Sequence, residues 1–88
     1  MVKVMLFKQM QYFISIVKNN SFTEAAEENY ISQSAISQAI KSLEDELGVE
    51  LLKRSNRSFT LTSAGEYFYK QSLIMVDQFK KKLQKHVK

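Results

Sequence analysis

The 88-residue chain has no cysteine, no proline and no tryptophan, with only two glycines and a single histidine. Without cysteine there is no disulfide framework, no thiolate metal centre and no Cys nucleophile. The lone histidine, His86, removes His-based metal clusters and any Ser/His/Asp triad. No apolar run approaches the ~18–20 residues of a membrane span, and no signal-peptide pattern opens the chain. The expectation is a soluble, cytoplasmic protein with no membrane partner and no cofactor. So few helix breakers make the chain read as mostly helix. A chain of this length forms one small domain that buries only about 60–65% of its unfolded surface. That leaves one core and little room for a separate catalytic cleft, so an enzyme is not expected.

What is present is an excess of positive charge. Thirteen Lys and Arg face nine Asp and Glu, for a formal net charge of +4. The distribution is uneven. Lys3, Lys8 and Lys18 stand without an acid in the first twenty residues, and Glu24, Glu27 and Glu28 without a base in the next ten. Lys53, Arg54 and Arg57 cluster against Glu50, and six lysines after residue 62 oppose Glu66 and Asp77. An anionic partner is consistent with this balance, although a solvated lysine face has the same charge.

Periodicity defines the elements. Met10, Phe13, Ile14 and Val17 recur at helical spacing and predict a helix over about residues 7–18. Ser21-Phe22-Thr23-Glu24 is a capping-box pattern that opens a short helix through about Asn29. Ala25 and Ala26 inside it permit close helix approach. After the Tyr30-Ile31 turn, Ser32 is a good N-cap for a helix from Gln33 to about Leu47. Ile36, Ile40, Leu43 and Leu47 form its inward stripe, and Gly48 suits its left-handed C-terminal closure. Leu51-Leu52 and the alternating Phe59–Thr62 segment predict two short strands around a basic tip at Ser55–Ser58. From Thr62, a possible N-cap, a helix of about 24 residues runs roughly 36 Å toward residue 86.

A short helix, a tight turn and a second helix form a helix-turn-helix, and the hairpin adds a wing. The predicted fold is therefore mainly α: three helices, a short β-hairpin wing and a long C-terminal helix. Residues 1–62 would form the winged domain and residues 63–88 the long helix, the linker and dimerisation helix of the family resemblance given below. With its apolar stripe inward, the 33–47 helix points Gln33, Ser34, Ser37, Gln38 and Lys41 outward. These side chains hydrogen-bond base edges and phosphates, which points to double-stranded DNA. Glu24, Glu27 and Glu28 read as a charge match to a helix N-terminus. Tyr67, Phe68 and Tyr69 read as packing residues, and Lys80, Lys81 and Lys82 as a solvated face.

Six blocks carry a family resemblance. They are Gln9–Phe13, Ser21–Ala26, Ile31–Ser37, Leu43–Val49, Leu52–Arg54 and Leu61–Gly65. Their order and gaps resemble the N-terminal domain of LysR-type transcriptional regulators across residues 5–88. The resemblance implies a homodimer that binds a palindromic operator for transcription regulation in bacteria. It also implies that the effector-binding domain usual in the family is absent, so no small-molecule ligand is expected in this fragment. Residue by residue, Gln33, Ser34, Ser37 and Gln38 match base-facing positions. Arg54 matches a wing-base phosphate contact, and Arg57 a wing-tip residue that reaches the minor groove. Ser21 and Thr23 match a helix start that meets phosphate, where free N–H groups attract anions. The sequence departs from the pattern at Ser34, where proline is common, and at Gln38, where arginine is common. Gln38 favours adenine over guanine. Residues 1–4 look like a small extension before Met5.

Tyr69, Leu73, Val76, Leu83 and Val87 lie at heptad spacing, widened by Phe68, Met75 and Phe79. The expected dimerisation surface is Phe68, Tyr69, Leu73, Val76, Phe79 and Leu83, paired antiparallel across a two-fold axis. An alternative is a protein-interaction module that pairs with a full-length relative through this helix.

Overall fold

The computed structural model describes residues 2–56 and 58–86, with side chains from residue 6 onward. The elements are α1 (Val2–Asn19), α2 (Phe22–Glu28), α3 (Gln33–Leu47), β1 (Leu52–Arg54), β2 (Phe59–Leu61) and α4 (Ser63–Lys85). The order is the predicted one. Only α1 differs appreciably in length, beginning at Val2 rather than near residue 7.

The caps explain the boundaries. Ser21 Oγ accepts from Glu24 N at 3.0 Å and Ser32 Oγ accepts from Ala35 N at 3.0 Å. Thr62 Oγ1 accepts from Gly65 N at 2.9 Å. Each fills an N–H that the first helical turn leaves without a partner. Gly48 closes α3 at φ 74°. Asn20 and Tyr30 also take left-handed φ, 52° and 58°. Asparagine tolerates that region, whereas a bulky aromatic does so rarely.

The core gathers Phe13, Ile16, Ala25, Ala26, Ile36, Ile40, Leu43, Leu51 and Leu52. α1 packs against α2, α3 and α4. Its buried arc is therefore wider than one stripe and takes in Ile16, while Ile14 and Val17 are only half-buried. Gln9 is buried and donates to the Ala39 carbonyl at 3.1 Å, which ties α1 to α3. Leu47 departs from its predicted inward role and is 44% exposed. The end of α3 runs past the core.

A polar cluster joins α1 to α2. Ser15 Oγ and Asn19 Nδ2 donate to Glu28 Oε1 at 2.7 and 2.9 Å, and Asn29 Nδ2 donates to Ser15 Oγ. The Ser15 and Asn19 hydrogen bonds hold the Glu28 carboxyl below its ordinary pKa. Glu28 therefore does not serve a helix N-terminus. It ends α2 and ties it to α1.

The wing is an antiparallel pair, with Leu52 opposite Leu61, Lys53 opposite Thr60 and Arg54 opposite Phe59. A two-stranded hairpin needs outside support. Glu44 supplies it from α3, its Oε2 accepting from Leu51 N at 2.7 Å and Leu52 N at 3.1 Å. Gly65 packs directly on the Leu51 backbone, where an added Cβ would lie 2.0 Å from the carbonyl oxygen.

α4 lies against α1. Phe68 meets Phe13 edge-on at 5.4 Å and Phe79 meets Phe7 at 5.2 Å between ring centroids. Phe68 and Tyr69 pack on the core and Val76 is buried within its own chain. Leu73, Ile74, Met75, Phe79 and Leu83 remain exposed. Tyr67, expected to pack, is 68% exposed. Val87 lies outside the described residues.

Candidate nucleic-acid interface

Burying Ile36, Ile40 and Leu43 turns the polar side of α3 outward. Gln33, Ser34, Gln38 and Lys41 are exposed, and Ser37 is half-buried. The wing stands beside this face. Between them lies an open groove of about 840 Å³, lined by Ser34, Ser37, Gln38, Lys41 and Arg54 together with Glu44, Glu50, Leu52 and Lys53. A second hollow of about 310 Å³ lies between the start of α2, the start of α3 and the wing. It takes in Asn20, Ser21, Phe22, Thr23, Gln33 and Ser37 with Arg54, Ser55, Asn56, Ser58 and Phe59. Ser37 and Arg54 border both hollows.

The sequence-predicted residues thus converge on one side, contributed by α2, α3 and the wing. Ser21 is committed as the α2 cap. Thr23 Oγ1 donates to Gln33 Oε1 at 3.4 Å, a long hydrogen bond between the starts of α2 and α3. Arg54 Nη1 donates to Ser37 Oγ at 3.0 Å, and its guanidinium lies 4.3 Å from the Phe22 ring centroid. Arg57 lies outside the described residues.

Sequence reasoning missed four contributors to this surface. Lys53 brings a second wing cation to the groove. Glu44 also lines it, yet its carboxylate already accepts two backbone N–H groups, which offsets the repulsion it would offer an anion. Phe22 supplies the ring beneath Arg54. Asn56 sits at the wing tip beside the second hollow. Lys53 was legible as a neighbour of Arg54 in a basic run, and Asn56 as part of the predicted tip at Ser55–Ser58. The others depend on contacts between residues far apart in sequence. Among the described residues, no group of three His, Cys, Asp or Glu side chains is placed to hold a metal ion. No helix there is long and apolar enough to cross a membrane.

Residues 7–66 match the family described as bacterial regulatory helix-turn-helix protein, lysR family. The chain belongs to the LysR family. Among curated LysR relatives, it is 50% identical over 62 residues to the HTH-type transcriptional activator AaeR of Escherichia coli, covering 70% of this chain and 20% of AaeR. It is 38% identical over 69 residues to the HTH-type transcriptional regulator BenM of Acinetobacter baylyi, covering 78% of this chain and 23% of BenM. The chain thus spans about a fifth of the length of these relatives. The crystal structure of the BenM DNA-binding domain with catB site 1 DNA resembles it with a TM-score of 0.85 and 32% identity, covering 89% of this chain and 87% of that one. The LysR winged helix-turn-helix is therefore the fold of this chain.

Proposed function

We propose that this chain binds double-stranded DNA sequence-specifically, as a homodimer, and regulates transcription in the bacterial cytoplasm. The observation that carries this reading is the exposed polar face of α3 beside a basic wing, on a fold whose BenM counterpart was crystallised with DNA. In this reading α3 enters the major groove and Gln33, Ser34, Ser37 and Gln38 address base edges. Lys41 and Arg54 meet phosphate, as do the N–H groups at the start of α2 around Ser21 and Thr23. Arg57 reaches toward the minor groove. Residues 1–62 form the DNA-reading unit and residues 63–88 the linker that pairs two copies, so each half of a palindromic operator meets one winged unit. No catalytic role is assigned.

Selection from a pool of random duplexes tests the proposal. The expected result is enrichment of a palindrome whose half-sites lie about one or more helical turns apart. A pool that stays random after repeated rounds would contradict it.

A further inference from the structure

Arg54 is anchored on two sides. Its guanidinium lies over the Phe22 ring, 4.3 Å from the centroid, and Nη1 donates to Ser37 Oγ at 3.0 Å. The Phe22 ring is itself held edge-on against Phe59, 5.5 Å away at 84°. Phe59 is the strand partner of Arg54 across the wing. Phe22 opens α2 and Ser37 lies in the first half of α3. Three elements therefore meet at one planar cation. Stacking and a fixed fork of donors are properties of arginine that lysine does not reproduce.

The consequence falls on Ser37. A serine hydroxyl has one proton and two lone pairs, while a guanidinium only donates. The direction of the bond is therefore fixed, and Arg54 occupies a Ser37 lone pair. Among the described residues the Ser37 proton has no acceptor, and the hydroxyl borders both hollows beside α3.

We infer that Arg54 is a positioning residue for base reading: stacked on Phe22 and donating to Ser37, it fixes the Ser37 hydroxyl so that a proton is offered to an acceptor on a base edge. The inference rests on α3 being the DNA-reading helix. The other guanidinium N–H groups stay available to a phosphate, so one side chain links docking on the backbone to reading of the bases. In free protein the bond is exposed and weak. Docking excludes water and strengthens it. A base that presents a donor there, such as cytosine N4, can use only the second lone pair and leaves the hydroxyl proton without an acceptor.

Arg54→Lys tests this, because it keeps the charge and loses the planar fork. The probes are the duplex that the wild-type chain selects from a random pool and a scrambled duplex of the same composition. The ratio of the two dissociation constants is measured for wild type, Arg54→Lys, Ser37→Ala and the double variant. The expected result is a loss of preference of about tenfold in each single variant, from the absence of one charge-assisted hydrogen bond. The double variant should lose no more than either single one, since both remove the same interaction. A residue that only supplies charge to phosphate would weaken both duplexes by one factor. An unchanged ratio in Arg54→Lys, or additive losses in the double variant, overturns the positioning role. If Arg54→Lys melts early, Phe22→Leu decides instead, since it removes the ring and keeps both polar groups. Reduced preference in that variant supports the role and unchanged preference overturns it. A wild-type chain that selects no sequence at all overturns the functional reading and this inference with it.

Discussion

Tyr30 combines a left-handed backbone, φ 58°, with 95% exposure. A non-glycine residue there costs about 1–2 kcal/mol, and its ring recovers almost none of that by burial. Tyr30→Asn is expected to stabilise the fold by about 0.5–1 kcal/mol, because asparagine accepts this conformation more readily. The thermal midpoint should rise by a few degrees. A lower midpoint would mean that the ring makes an unrecognised favourable contact. Glu28 offers a second test at the same scale. Hydrogen bonds from Ser15 and Asn19 lower its pKa in the fold. A lowered carboxylate pKa gives stability that is present above the unfolded value and lost as pH falls through the folded one. Thermal midpoints measured from neutral pH downward should therefore fall through the acidic carboxylate range, and Glu28→Gln should flatten that fall. A wild-type curve superimposable on that of Glu28→Gln would remove the role assigned to this cluster.

At the scale of elements, boundaries were legible where the chemistry is local. Ser21, Ser32 and Thr62 each bond an N–H three residues ahead, so the cap and its partner lie together in the sequence. Gly48 follows the last turn of α3 in the same way. The outward face of α3 followed from its period. What the sequence did not reveal depends on distant partners. The Glu44 anchor on Leu51 and Leu52, and the meeting of Phe22 with Arg54, join residues seven to thirty-two positions apart. Ile16 falls off the simple stripe because helices cover α1 on more than one side. Within α3, Gln38 and Lys41 separate base reading from phosphate contact. Gln38→Ala should relax preference at one position of each half-site, where a good bidentate contact discriminates by about 1–3 kcal/mol, and leave the salt slope unchanged. Lys41→Ala should weaken all duplexes alike and reduce the salt slope by about one unit. Titrations at several salt concentrations check both, and equal behaviour of the two variants would erase the distinction.

For the molecule as a whole, the outer side of α4 is an exposed apolar surface suited to pairing. Phe68 and Tyr69 pack partly on the core and Val76 is buried within its own chain, because α1 reaches along α4. The exposed remainder, Leu73, Ile74, Met75, Phe79 and Leu83, is between 40% and 53% accessible. Two copies paired through this surface would bury it twice. The wild type should sediment as a dimer and the double variant Leu73→Glu/Leu83→Glu as a monomer, whose affinity for a palindromic duplex should fall with it. A wild type that remains monomeric at high concentration would refute pairing through α4.

Sequence-specific binding of DNA would set this chain apart from a merely cationic surface. Its most direct measurement is the dissociation constant of the wild-type chain for its selected palindrome and for a scrambled duplex, both titrated across salt concentration. The palindrome is expected to bind about a thousandfold tighter near physiological salt, with both affinities falling steeply as salt rises. Equal affinity for the two duplexes at every salt concentration would contradict it.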